Sequence, residues 1–406
     1  MLDFATFNPL SPEFQANPYQ YYDFMRMGAP ILYWADWNMW FLTRYEDCTT
    51  LLRDNRFGHE ILNHMTREEL GWESAEEIPE KHKQRIKTQQ NWMLFKDMPD
   101  HTRLRTLVHK AFTPRMIQQL RGNIETITKR LLDQAQEQGE MDVIRDLAFP
   151  LPVAVIAEML GVPVEDQVVF HKWSRDLAGT LELTDNMEVF EAAADATIEF
   201  DAYFRELANK RRKNPQDDLL TALVEAEEAG DRLNEDELIS TCILLLVAGH
   251  ETTVNLIGNG TNALLSHPDQ FQLLKDDPTL TKSAVEEFLR YDSPVQMTSR
   301  WVLEDVKYAD VTFKKGQQIA TVFAAANRDP ERFDNANELN IQREDNKHMA
   351  FGNGIHYCLG APLARLEAQI AFEELAKRFP TLNFNGDPIR RKTYILRGFQ
   401  SIPVTW

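Results

Sequence analysis

Phe351-Gly-Asn-Gly354-Ile-His356-Tyr-Cys358-Leu-Gly360 is the stretch on which the reading of this chain turns. A lone cysteine is usually a small buried hydrophobe. Here, glycines at 352, 354 and 360 permit a tight loop with left-handed backbone positions and exposed N–H groups. Ala361-Pro362 follows and opens an amphipathic helix reaching about Phe379. The cysteine therefore precedes a helix N-terminus, where the dipole and the N–H groups favour a thiolate. A thiolate held this way suits axial ligation of haem iron, where it donates electron density that favours O–O cleavage. Gly352-x-Gly354 also suggests a dinucleotide loop, but Tyr357 takes the third glycine position and no strand–turn–helix unit surrounds it, which excludes that reading.

Three further motifs lie upstream. Leu244-Leu-Leu-Val-Ala248-Gly249-His250-Glu251-Thr252-Thr253 falls inside a helical run of about thirty residues. An acid and hydroxyls in such apolar surroundings are costly to bury unless paired. One reading is a partly exposed helix with threonine bonded to a backbone carbonyl. The other is a proton relay, with Gly249 making room for a small ligand while Thr252 and Glu251 orient water and pass protons. His250-Glu251 begins like a zinc-protease motif, but Val254 stands where the second histidine belongs. Glu287 and Arg290, at i and i+3, share a helix face and by themselves read as a surface pair. His101 and Arg105, at i and i+4, can reach one anionic group from a single helix face, or simply form a solvated basic surface.

Composition bounds the rest. The 406 residues are 43% hydrophobic and 26% charged, which is ordinary globular composition and excludes disordered, collagen-like and coiled-coil classes. A net charge of −19 argues against bulk binding to nucleic acid or anionic membranes. Cys48, Cys242 and Cys358 are too far apart for a zinc pattern or a disulfide framework. Met1 to Pro30 has acids and prolines but no apolar core, so neither a signal peptide nor a membrane anchor is expected, and a cytoplasmic protein is. Thr66 to Gln90, rich in Glu, Lys and Gln, reads as a mobile surface excursion. Helices are expected at Thr113–Gly139, Asp185–Lys213, Asn234–Leu265, Thr279–Arg290 and Gly360–Phe379. Strands are expected at Ile31–Trp34, Met39–Tyr45, Arg300–Leu303 and Gln318–Val322. The chain is thus mainly α with small β-sheets, and one large domain over 1–406 fits better than several small ones.

Together the four motifs, in this order, resemble the bacterial cytochromes P-450, the haem-thiolate monooxygenases. Phe351-x-x-Gly354-x-His356-x-Cys358-x-Gly360 resembles the family's ligand loop, Ala248-Gly249-x-Glu251-Thr252 the oxygen-binding groove, and Glu287-x-x-Arg290 its buried salt bridge. The wider sequence is similar to Bacillus polyketide-tailoring oxidases through Phe112-Thr-Pro-Arg115, Ala226-Glu-Glu and Leu396-Arg-Gly398, and to the biotin-pathway member that cleaves fatty acyl chains. The resemblance implies a single triangular-prism domain with haem between the long central helix and the ligand-loop helix. It implies heme b (iron protoporphyrin IX) with Cys358 as axial ligand. It further implies dioxygen as co-substrate, Thr252 and Glu251 in oxygen binding and proton supply, and His101, Arg105, Arg300 and His356 on the two propionates. His356 stands where many relatives have arginine. In Asn335-Ala336-Asn337-Glu338-Leu339, Ala takes the place of the usual Pro and Glu that of the usual Arg, so another residue is expected as third partner of Glu287 and Arg290.

By the same resemblance, the substrate is a sizeable apolar molecule: a polyketide or other secondary metabolite, or alternatively a fatty acid, a fatty acyl-carrier conjugate, a steroid or a terpenoid. Its wall would include Leu245, Ala248, Val295, Gln296, Met297, Leu396 and Phe399, with residues from the Phe57–Asp100 and Val168–Met187 regions. The length leaves no room for a fused flavin reductase, so electrons are expected from a ferredoxin or flavodoxin. His101–Arg130 carries seven Lys or Arg against one acid, Glu125. That excess makes Arg103, Lys110, Arg115 and Arg121 the expected docking surface for an acidic carrier. A haem gas sensor or carrier is the alternative of another class, but it needs no Glu251-Thr252 pair.

Overall fold

The computed structural model describes residues 8, 11–74, 77–228 and 230–406, so the start of Met1–Pro30 lies outside the described residues. At its centre runs a helix of 32 residues, Glu235–Ser266. A reciprocal capping box sets its start: the Asn234 side chain accepts from Glu237 N–H at 3.0 Å, and the Glu237 carboxylate accepts from Asn234 N–H at 2.9 Å. By length and composition this helix could cross a membrane, but 78% of its most apolar window is buried within the protein. Thr281–Tyr291 and Ala361–Arg378 pack against it closely. Gly260 makes that approach possible, because a Cβ there would collide with Phe372 and Phe288.

A five-stranded sheet lies to one side, in the order Ile31–Trp34, Met39–Leu42, Gln318–Thr321, Thr298–Val302, Phe57–Gly58. Gln318–Thr321 runs parallel to Met39–Leu42 and antiparallel to Thr298–Val302, with Ile319 opposite Arg300. That register places Arg300 in a buried strand facing the central cavity.

Several elements depart from expectation. The helix expected over Thr113–Gly139 is two, Pro114–Gln119 and Arg121–Gln138, joined where Leu120 N–H bonds back to both Met116 and Ile117 carbonyls. The strand beginning at Met39 stops at Leu42, and Tyr45 opens a helix instead. The polar excursion contains an 11-residue helix, Glu80–Gln90, which roofs the cavity against Met187–Lys213. Its anchors are polar: Lys81 pairs with Glu191, Lys87 Nζ lies 2.6 Å from Asp236, and His82 Nε2 lies within hydrogen-bonding distance, 2.9 Å, of Glu191. Few apolar residues are needed for such a face, so the 3.6-residue hydrophobic period is missing.

Candidate functional site

The cysteine loop is built as its glycines demand. Gly352 and Gly354 both adopt positive φ, +74° and +70°, and a Cβ on Gly354 would collide with the Leu52 carbonyl. Gly360 does not, contrary to expectation: its φ is −78° and it serves as the N-cap of Ala361–Arg378. Cys358 N–H donates to the Phe351 carbonyl at 2.9 Å, closing the loop. The thiol opens into a cavity of about 880 Å³, whereas Cys48 and Cys242 are buried away from it. Burial pushes the Cys358 thiol up, against the pull of the Gly360 N–H, the Arg105 guanidinium and the Ala361 N–H. Loop and dipole alone therefore do not make the thiolate; a bound metal cation does that to a coordinating thiol outright.

On the same cavity, Arg105, Arg300, His101 and His356 converge as expected, joined by His59. The His101 and His356 rings are 4.3 Å apart between centroids, and those of His59 and His356 5.0 Å. Burial first, then the neighbouring guanidiniums, lower His101 to about 4 and His356 to about 2, and burial lowers Arg300 to about 10. Both ring nitrogens of His101 and Nε2 of His59 are buried without a hydrogen-bond partner. Such a cluster of donors and positive charge calls for an anion that the chain itself does not supply. Arg105 Nη2 also donates to the Tyr357 carbonyl at 2.6 Å, tying the Asp100–Ala111 helix to the cysteine loop. His59 carried no signal in the sequence, because only the folded chain brings it beside His356.

The central helix turns Leu245, Ala248 and Thr252 towards the cavity. It stays α-helical throughout, and Gly249 opens no break in it. The Thr252 hydroxyl donates to the Ala248 carbonyl at 2.8 Å. Glu251 is buried and paired with Arg391, a partner 140 positions away that sequence spacing does not reveal. Burial works to raise the Glu251 carboxyl, but Arg391 and then His250 outweigh it and hold it below its ordinary range. Val295, Met297 and Leu396 line the cavity as expected. Gln296 and Phe399 do not. Gln296 turns away to donate to the Ser293 carbonyl at 2.7 Å, and Phe399 packs under the Arg390 guanidinium. Glu367 also faces the cavity, buried with one oxygen unpartnered, and burial holds its carboxyl well above the ordinary range.

Glu287 and Arg290 are a fully buried bidentate pair, at 2.7 and 2.8 Å, rather than a surface pair. The missing third partner is Arg343, whose Nε lies 3.1 Å from Glu287 Oε2. Asn340 N–H at 2.8 Å and Asn346 Nδ2 at 3.0 Å complete the shell. Glu338, in the position expected to carry the partner, is exposed and contributes only its carbonyl, to Arg290 at 2.9 Å.

Of the expected docking cations, Lys110 and Arg115 are exposed. Arg103 is turned into pairs with Glu237 and Asp231, and Arg121 is 3.4 Å from Glu125, so neither is a free charge on that face.

A sulfur on one wall and an unmatched cationic rim on another fit a metal macrocycle bearing two carboxylates, as haem does. The comparisons agree. The family model described as Cytochrome P450 matches residues 58–393. The polyketide biosynthesis cytochrome P450 PksS of Bacillus subtilis (strain 168) is 44% identical, over 98% of each chain. The biotin biosynthesis cytochrome P450 of the same organism is 41% identical, again over 98% of each. A crystal structure of P450BioI in complex with hexadec-9Z-enoic acid ligated acyl carrier protein superposes with a TM-score of 0.90 at 41% identity, covering 98% of this chain and 100% of that one. The chain belongs to the cytochrome P450 family, monooxygenases that use heme b held by a cysteine thiolate and incorporate oxygen from dioxygen.

Proposed function

We propose that the protein inserts one oxygen atom into a C–H bond of a sizeable apolar molecule, a polyketide or related secondary metabolite. The observation that carries this is a single cavity. It is lined by Cys358 on one wall, by the cationic cluster at the rim and by Ala248 and Thr252 on the central helix, with apolar side chains elsewhere. Cys358 would hold the haem iron through its thiolate. His101, Arg105, Arg300, His356 and His59 hold the propionates through charge-assisted bonds. Haem, when bound, supplies the oxygen-activating redox chemistry. Thr252 keeps a hydroxyl beside the oxygen site, and Glu251, once parted from Arg391, passes protons towards it. Apolar walls exclude bulk water.

Electrons come from a separate ferredoxin or flavodoxin. It docks on the face beside the Asp100–Ala111 helix, where Lys110, Arg115, Lys129 and Arg130 are exposed. The chain acts as one monooxygenase domain in the cytoplasm. A fatty acyl substrate is the second reading, favoured by the relative in biotin biosynthesis and by the neighbour holding an acylated carrier protein.

The test is an optical titration of the ferric protein with polyketides, macrolides, fatty acids and steroids. A shift of the haem band from low to high spin with one class supports the pocket and ranks the substrates. Absence of a haem band after haem is supplied overturns the Cys358 assignment.

A further inference from the structure

One corner of the cavity is polar and takes no part in holding haem or activating oxygen. Gln89, on the roof helix, and Thr180, in the turn after Gln167–Ala178, line it beside Ile86, Leu181 and Leu183. Gln89 Oε1 accepts from Arg85 Nη1 at 2.7 Å, and Gln89 Nε2 donates to Thr180 Oγ1 at 2.8 Å. The Thr180 hydroxyl donates in turn to the Leu177 carbonyl at 2.7 Å.

These bonds fix which way the Gln89 amide faces. A guanidinium only donates, so the amide atom that meets Arg85 is the oxygen. A backbone carbonyl only accepts, so the Thr180 proton is spent on Leu177 and its oxygen is left to accept. The amide nitrogen therefore faces Thr180, and it carries two N–H groups of which this bond uses one. The other has no partner among the described residues.

Both sides of the corner are held in place. Lys81 and Lys87 tie the roof helix to Glu191 and Asp236. The turn that carries Thr180 ends at Glu182, whose carboxylate accepts from the Tyr394, Ile395 and Leu396 N–H groups at 2.7, 2.8 and 2.7 Å. A donor fixed among apolar side chains orients a ligand that offers it an acceptor. A carboxylate does not suit it. Arg85 does not line the cavity; its guanidinium is turned to Gln89 and lies over the Phe190 ring, 5.3 Å from the centroid. A charged head at this corner would give up its hydration for one neutral N–H.

We propose that Gln89 reads a neutral oxygen of the substrate, a ketone, lactone or hydroxyl, so that the cavity takes an apolar molecule oxygenated where it meets the roof. This rests on the proposed apolar-substrate reading and selects within it the oxygenated polyketide class over free acids and plain hydrocarbons. Gln89 donates its spare N–H to that oxygen while keeping both of its bonds within the protein.

The experiment compares cyclopentadecanone with cyclopentadecane, rings of one size that differ by a carbonyl, on the haem-loaded enzyme by haem-band shift and by equilibrium dialysis. The reading is the ratio of ketone to cycloalkane affinity, in which the apolar contribution of the ring cancels between wild type and variant. Gln89→Leu removes the donor, and Gln89→Glu replaces it with an acceptor of the same shape that still meets Arg85. Each is expected to lower the ratio about fivefold, as the loss of one neutral hydrogen bond does. A ratio unchanged in either variant overturns the assignment of Gln89 and leaves the apolar-substrate reading intact. Failure of every apolar ligand to bind the wild type overturns both.

Discussion

Arg343→Ala tests how the core beneath the ligand loop is held, and its cost can be worked from the contacts. The Glu287 carboxylate is fully buried and accepts five hydrogen bonds: two from Arg290 and one each from Arg343, Asn340 N–H and Asn346. Losing Arg343 removes one charge-assisted bond, about 1.5–3 kcal/mol. It also removes the Nη1 bond to the Asp334 carbonyl at 2.7 Å, a neutral acceptor near the surface that adds a fraction of that. Four donors remain on Glu287, so the carboxylate is not stranded. The expected loss is about 2–3 kcal/mol, short of the roughly 3–5 kcal/mol or more for Arg290→Ala, which breaks the buried pair itself. Glu338→Ala is the control. Its side chain is exposed and its carbonyl survives, so the cost should stay within about 0.5 kcal/mol. Urea unfolding of the haem-loaded protein, followed by far-UV dichroism, measures all three, and a double-mutant cycle with Glu287→Gln isolates the coupling. An Arg343→Ala cost no larger than that of Glu338→Ala would refute the claim that Arg343 is the third member of the knot.

Other outcomes follow from the cavity. Thr252→Ala should release more peroxide per electron pair than wild type, measured with any substrate that shifts the haem band; unchanged coupling removes Thr252 from the oxygen site. Arg391→Ala leaves burial of Glu251 unopposed by its main cation, so the carboxyl rises and the pH dependence of coupling moves upward, a shift that a pH series of peroxide release would detect. Arg105→Gln would delete the proposed charge-assisted bond to a propionate, worth about 1.5–3 kcal/mol, so haem should pass to an acceptor protein at least about tenfold faster. Glu367 has the opposite linkage to a salt-bridged acid. Its folded carboxyl keeps a proton that the unfolded chain releases above about pH 4.3, so the wild type loses stability as pH rises. Glu367→Gln should therefore raise the melting temperature at neutral pH but not near pH 4, and an equal effect at both pH values would mean the carboxyl is not held protonated.

Much of the site was legible in the sequence because its parts are local. The spacing of Gly352, Gly354 and Cys358 encodes a loop whose backbone only glycine tolerates at 354, and Asn234 with Glu237 encodes the start of the central helix through a cap three residues long. Leu245, Ala248 and Thr252 stand three and four residues apart on one helix face, although it was the resemblance to the family that assigned Leu245 and Ala248 to the substrate wall. Those readings rest on backbone sterics and helical geometry, which act over a few residues.

What only the tertiary structure decided is which distant charge meets which. Arg343 rather than residue 338 completes the Glu287 knot because the loop after Asn335 carries it back over the buried pair. Arg391 reaches Glu251 across 140 positions, and Arg103, counted as a free surface cation, is consumed by Glu237 and Asp231. The Glu80–Gln90 helix looked like a loop because its partners are ionic and lie on another helix. Gln296, off the expected wall, accepts at 3.4 Å from the hydroxyl of Tyr22, 274 positions away, and Phe399 lies under the Arg390 guanidinium of the strand paired with its own. A charge or an amide can be satisfied by any complementary group that folding brings near, and sequence spacing carries no record of that choice.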